Sequence, residues 1–199
     1  YDKIKGLLAK RLNQASAPVI FNSGELADSL SMEHLTRAGQ EFIPWFGRTQ
    51  NGYLYMLTKS DNVDDILTLP HNGHTIIAWS LNEESVSRKF ECGAPTFDRR
   101  LEAAHKVQQA GYRVRLRLDP IVPFDGWQAA YAKTIDQIFA RVVPERMTIG
   151  TLRFEKGFYD MRKTIFNAGP ELHGYLDQME TMFEPQIFPG SDKPKVGKY

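Results

Sequence analysis

The chain has 199 residues, 42% hydrophobic and 25% charged, with a formal net charge of +1. That is the composition of an ordinary water-soluble domain, and it gives no global electrostatic case for nucleic acid or for a membrane surface. No apolar run approaches the ~20 residues of a membrane helix, no secretory pattern is visible, and a single cysteine, Cys92, excludes an internal disulfide or a cysteine-only metal site and fits a reducing cytoplasm.

The first residues are helical in character, with Ile4, Leu7, Leu8, Arg11 and Leu12 on one face. Five β-type runs follow: Val19–Phe21, Tyr53–Leu57, Thr75–Trp79, Arg113–Leu118 and Met147–Leu152. Each leads through a polar or Gly-containing bend into a helical pattern. Thr96-Phe97-Asp98 opens one helix, carried by Leu101, Ala104 and Val107 and stopped at Gly111. Another runs through Trp127, Ala130, Tyr131, Thr134, Ile135, Ile138 and Phe139 to Pro144. Strands and helices alternating at roughly 22–38 residues predict βαβ units and a parallel sheet. Nothing divides the chain, so residues 1–199 are expected to form a single barrel-type core, with residues 185–199 as a loop-like tail. An α/β unit normally starts with a strand, so a further strand is expected upstream of Tyr1 in a longer protein.

In parallel α/β folds, ligands bind beyond the carboxyl ends of the strands. The five runs deliver there, in order, Asn22-Ser23-Gly24-Glu25, Thr58-Lys59-Ser60-Asp61, Ser80-Leu81-Asn82, Arg117 with Asp119, and Arg153 with Glu155. This set suits a zwitterion: Glu25 for an ammonium, Lys59 for a carboxylate, Ser80 and Asn82 for hydroxyls, with Gly24 permitting close backbone approach. Helix capping is the competing role for Asp28, Ser60, Asp61 and Ser80. Arg115 and Arg117 alternate with Val114, Leu116 and Leu118, and are read either as a pair facing into a barrel, where they need carboxylates, or as the wet face of an outer strand. His34, His71, His74, His105 and His173 are scattered, and the His71–His74 stretch reads as a turn. Cys92 is expected to be structural, Phe42, Trp45 and Phe46 to be core, and Tyr53 and Tyr55 to pack or to stack on a base. The lysines of Lys193–Lys198 read as a solvated tail.

Several blocks carry a family resemblance. HNGHTIIAWSLNEESVSRKFECGAPTFDRRLEAAHKVQQAGYRVRLRLDPIVPFDGWQAAY, with NSGELADSL and YLYMLTKSDNVDDIL upstream and GTLRFEKGFYDMRKTIF downstream, resembles the spore photoproduct lyase branch of the radical S-adenosylmethionine (SAM) enzymes. The resemblance implies a partial (β/α)6 barrel of TIM type, here without its first strand and cluster loop, with SAM lying across the strand ends. It places Ser23, Gly24 and Glu25 at the SAM amino group, Lys59 at the SAM carboxylate, and Ser80 and Asn82 at the SAM carboxylate or ribose; Arg117, at the next strand exit, is taken as a further candidate for the same cofactor. It also implies a 4Fe–4S cluster that reduces SAM to a 5′-deoxyadenosyl radical, an electron donor such as flavodoxin or ferredoxin, and a nucleic-acid substrate. The sequence departs from the family twice. The cluster motif CxxxCxxC is absent from these residues, so the chain as given is not expected to generate a radical. Residues 22–28 also lack the lyase's hydrogen-donating cysteine, so a lyase-like relative with another substrate is expected. Two other classes compete: a non-catalytic SAM- or nucleic-acid-binding module on the same barrel, and an unrelated barrel aldolase using Lys59 as a Schiff base.

Overall fold

The computed structural model describes residues 1–24 and 27–151. Glu25, Arg153, Glu155, His173 and the C-terminal tail therefore lie outside the described residues. The chain divides into two compact units, Tyr1–Ile149 and Gly150–Tyr199, and the boundary falls inside the last described strand.

Five strands occur close to where the sequence places them: β1 (Val19–Asn22), β2 (Gly52–Thr58), β3 (Thr75–Leu81), β4 (Arg113–Ile121) and β5 (Arg146–Thr151). They form one sheet in the order β1-β2-β3-β4-β5. Neighbours are parallel from β1 to β4, with Phe21 opposite Leu54, Met56 opposite Ile77 and Trp79 opposite Leu116. Sequential order in a parallel sheet is the topology of a (β/α) barrel of TIM type, in which every crossover advances the same way.

The helices are α1 (Asp2–Asn13), α2 (Glu33–Thr36), α3 (Ala38–Phe46), α4 (Glu84–Phe90), α5 (Phe97–Gln109) and α6 (Trp127–Phe139). Among the described residues no helix is long and apolar enough to cross a membrane. Their ends follow local chemistry. The Thr96 hydroxyl accepts from the Arg99 N–H to open α5, and Gly111 takes the left-handed conformation after it, φ +87°. The α4 cap is Glu83, whose carboxylate accepts from the N–H groups of Ser85 and Val86. The crossover from β2 to β3 departs from the expected helical pattern: it contains only a single 3-10 turn, Asp64–Ile66, whose apolar anchors Val63 and Ile66 are fully buried.

The core lies between one sheet face and the helices. Leu54, Met56, Ile77, Trp79, Leu81, Val114, Leu116 and Leu118 meet Ile43, Phe46, Leu101, Ala104, Val107 and Ile138. β3 is buried almost throughout, which is why it reads as a continuous apolar run, whereas β2 and β4 alternate and keep one face accessible. The predicted apolar face of α1 is only partly used. Leu12 is buried beneath Gly52 and Leu8 packs on the core, while Ile4 and Leu7 are exposed.

Candidate functional site

The exit of β1 is bent over the end of β2 by backbone bonds: Ser23 N–H donates to Tyr55 O at 3.0 Å and Ser29 N–H to Leu57 O at 3.0 Å. Gly24 lies beneath this bend, its N–H donating to Asn22 Oδ1 at 3.0 Å. A Cβ here would collide with Ser29 Oγ and sit 2.9 Å from the carbonyl oxygens of Ala27 and Leu57. The bend itself therefore demands glycine, whatever ligand approaches it. Asp28 is no helix cap, because α2 starts only at Glu33. Its Oδ1 accepts from the N–H groups of Leu30 and Ser31 and from Thr58 Oγ1, and its Oδ2 from Lys59 N–H at 2.6 Å. One carboxylate thus fastens the β1 exit to the β2 exit. The capping role fails likewise for Ser60, Asp61 and Ser80: no described helix starts from them. Ser60 O instead accepts from the Trp79 indole N–H, and Asp61 pairs with Arg99.

Parallel register sets the remaining exits side by side. Thr58 pairs with Trp79 and Ser80 with Arg117, so Lys59, Ser80 and Arg117 form a row across the ends of β2, β3 and β4. Lys59 Nζ is 2.8 Å from Glu91 Oε1 and keeps 45% of its side chain exposed. Glu91 follows α4 and is mostly buried; its Oε2 lies 2.7 Å from the Arg100 guanidinium and accepts from Ser87 Oγ at 2.8 Å. Arg100 has no exposed surface and donates further to Pro95 O at 2.6 Å, Ser80 O at 3.0 Å and Ser87 Oγ at 2.9 Å. Burial alone would raise the Glu91 carboxyl, but the hydrogen bonds and charges of Lys59 and Arg100 outweigh it and hold Glu91 below its ordinary range.

Arg117 reaches Asp119 Oδ2 at 3.3 Å and stays part-exposed. Asn82 is buried and bound to its own surroundings. Its Nδ2 donates to Pro120 O at 2.9 Å, and its Oδ1 accepts from Glu83 N–H and from the Tyr131 hydroxyl at 2.5 Å. The Tyr131 oxygen in turn accepts from Val122 N–H at 3.0 Å. Asn82 thus ties the β3 and β4 exits together, and its carboxamide is committed to that task in this conformation.

On the sheet face away from the helices, Arg113 and Arg115 both meet Glu145, Arg115 Nε at 3.1 Å. Their guanidinium groups lie over the rings of Tyr53 and Tyr55, and Tyr53 stacks on His74 at 4.8 Å. The arginines of β4 do, then, find the carboxylates they require, in Glu145 and Asp119. Burial tends to raise the Glu145 carboxyl, and the two arginines more than offset it, leaving Glu145 lowered. The four described histidines, His34, His71, His74 and His105, bond to neighbouring protein groups. His71 Nδ1 accepts from Gly73 N–H, so its Nε2 donates to Ala110 O, and the ring stacks on Tyr112. Among the described residues no three metal-ligating side chains converge. Cys92 departs from the expected structural role: it is exposed, in the Gly93 turn that separates α4 from α5.

Sequence reasoning passed over Glu91 and Arg100. A signal existed for the arginine: it occupies the buried stripe Phe97, Arg100, Leu101, Ala104, Val107, where a guanidinium must have buried acceptors.

The model of the spore photoproduct lyase family matches residues 8–167. A spore photoproduct lyase of Geobacillus sp. (strain Y412MC61) is 34% identical over 149 residues, covering 74% of this chain and 43% of the relative. That of Bacillus subtilis (strain 168) is 34% identical over 120 residues, 60% of this chain and 35% of the relative. A spore photoproduct lyase structure complexed with dinucleoside spore photoproduct aligns with a TM-score of 0.75 at 28% identity, over 84% of this chain and 52% of that one. A doubly substituted variant with bound AdoMet (SAM) and dinucleoside spore photoproduct aligns with a TM-score of 0.74 at 25% identity, over 95% and 64%. The chain spans less than half the length of these two curated relatives.

Proposed function

Because this chain belongs to the spore photoproduct lyase family, we propose that its strand-end rim binds the methionyl end of SAM, within a lyase-type radical SAM protein acting on nucleic acid. The observation that carries this reading is the row Lys59, Ser80, Arg117, set by parallel register beside the tight Ser23-Gly24 bend. The relative whose structure holds AdoMet and dinucleoside spore photoproduct supports both the cofactor and the substrate class.

The donor set fits the carboxylate side of the cofactor. Lys59 presents a half-exposed ammonium and Arg117 a part-exposed guanidinium, two cations for one anionic group. Ser80 adds a hydroxyl between them, and Ser23 another at the bend. Glu25 is assigned to the SAM ammonium, and Asn82 to holding the β3 exit in place. When bound, SAM supplies the family's hydrogen-abstracting chemistry. A 4Fe–4S cluster does not fit the donor set of these residues, since Cys92 is their one cysteine. No step of this mechanism therefore runs through a cluster.

A second reading is that this chain binds SAM or nucleic acid without radical chemistry. Calorimetric titration of the chain with SAM tests the shared premise. Saturable binding that Lys59→Ala weakens by about 1–3 kcal/mol, the value of a charge-assisted bond, supports the rim; no binding refutes it. Anaerobic reconstitution of the full-length gene product with iron and sulfide, followed by SAM and reductant, then separates the two, because only the first reading predicts 5′-deoxyadenosine.

A further inference from the structure

Resting on the rim reading above, we propose that Glu91 is a positioning residue: it holds the Lys59 ammonium at the place from which it meets the carboxylate of the bound ligand.

Lysine is an imprecise ligand on its own, because its long stem samples many rotamers and immobilising it on binding opposes affinity. Here both ends of Lys59 are fixed beforehand. Its backbone N–H donates to Asp28 Oδ2 at 2.6 Å, and its Nζ lies 2.8 Å from Glu91 Oε1. An ammonium has three donors, so a bond to Glu91 leaves two for an incoming carboxylate.

Glu91 is placed independently of Lys59. Its other oxygen takes the Arg100 guanidinium at 2.7 Å and Ser87 Oγ at 2.8 Å, and Arg100 also donates to Ser80 O at 3.0 Å. The chain Ser80–Arg100–Glu91–Lys59–Asp28 therefore joins the exits of β3, β2 and β1, three of the four that carry the proposed ligand contacts. A surface pair elsewhere in the protein shows the contrast. Lys106 and Asp64 sit 3.2 Å apart with 46% and 79% of their side chains exposed, whereas Glu91 is 10% exposed and Arg100 fully enclosed. The Glu91 carboxylate is held like a core group and offers one oxygen outward to the lysine. With Arg100 already neutralised by Glu91, the positive charge of Lys59 remains available to the ligand.

The test compares SAM with decarboxylated SAM, which keeps the sulfonium and adenosine but lacks the carboxylate, by titration calorimetry on the full chain. Glu91→Gln is expected to weaken SAM about tenfold, as restored lysine rotamer freedom requires, and to leave the decarboxylated ligand within about twofold. Glu91→Asp retains the charge facing Arg100, which protects the fold, and withdraws the carboxylate from Lys59 by one methylene; it is expected to show the same selective loss. In a Lys59→Met background, Glu91→Gln is expected to change SAM affinity no further. Equal losses for both ligands would show a merely structural role and overturn the proposal. Unchanged or tighter SAM binding by both Glu91 variants would also overturn it, the tighter case marking Glu91 as a competitor for Lys59. Failure of the unsubstituted chain to bind SAM would instead defeat the rim reading, and this inference with it.

Discussion

Arg100→Met removes the guanidinium at the centre of the rim network while keeping a side chain of similar length. The arginine is fully buried and serves four acceptors: Pro95 O, Ser80 O, Ser87 Oγ and Glu91 Oε2. Removing one partner of a buried ion pair costs about 3–5 kcal/mol, because the other charge stays buried with fewer compensating bonds. Glu91 would keep Lys59 on Oε1 and Ser87 Oγ on Oε2, which places the pair at the low end of that range. The two carbonyls that lose their donor add to it, so the expected loss is about 3–4 kcal/mol. Urea unfolding followed by tryptophan fluorescence reads this directly, since Trp79 is buried in the same core and donates to Ser60 O. The midpoint should fall by roughly 1–3 M with the slope preserved. Arg100→Lys should recover less than half of the loss, as one ammonium cannot span four acceptors arranged about a planar fork. A loss below about 1 kcal/mol for Arg100→Met would refute the assignment of Arg100 as the buried centre of the network.

Three further outcomes follow from the same geometry. Gly24→Ala is expected to destabilise by about 1–3 kcal/mol, because the new Cβ meets Ser29 Oγ and two carbonyl oxygens; an unchanged thermal midpoint would contradict that packing. Glu33→Ala should cost about 1–3 kcal/mol in urea unfolding. The buried Glu33 carboxylate accepts from Gly39 N–H at 2.8 Å and Gln40 N–H at 3.2 Å, closing the start of α3, and Glu33→Gln, which keeps an acceptor, should cost less. The third concerns pH. Glu91 is lowered from its ordinary 4.5 in the folded state, so its contribution is fully present above about pH 4.5 and is lost as pH falls through the folded value. Stability should decline below pH 4.5, and Glu91→Gln should flatten that decline; identical slopes would remove Glu91 from the acid transition.

Much of this protein was legible along the chain. Apolar runs of period two or of unbroken hydrophobicity marked all five strands, and in β2, β3 and β4 burial on one or both faces of the sheet is what leaves that local imprint. Thr96 and Gly111 announced the ends of α5, and the sequence blocks around residues 71–131 announced the family, since these signals lie in neighbouring residues. The polar residues at the strand exits were also found, and register set Lys59, Ser80 and Arg117 in one row. Their partners were not found. Asp28 resembled a helix cap and fastens two loops; Asn82 resembled a ligand group and binds Pro120 and Tyr131. Glu91 and Arg100 drew no notice, yet they determine where Lys59 stands. The division has a physical origin. Periodicity reports which side of an element is buried, a property of consecutive residues in one element. An ion pair joining residues 59, 91 and 100 exists only after three separate segments have been packed against one sheet edge, so the tertiary structure alone decided which charges meet.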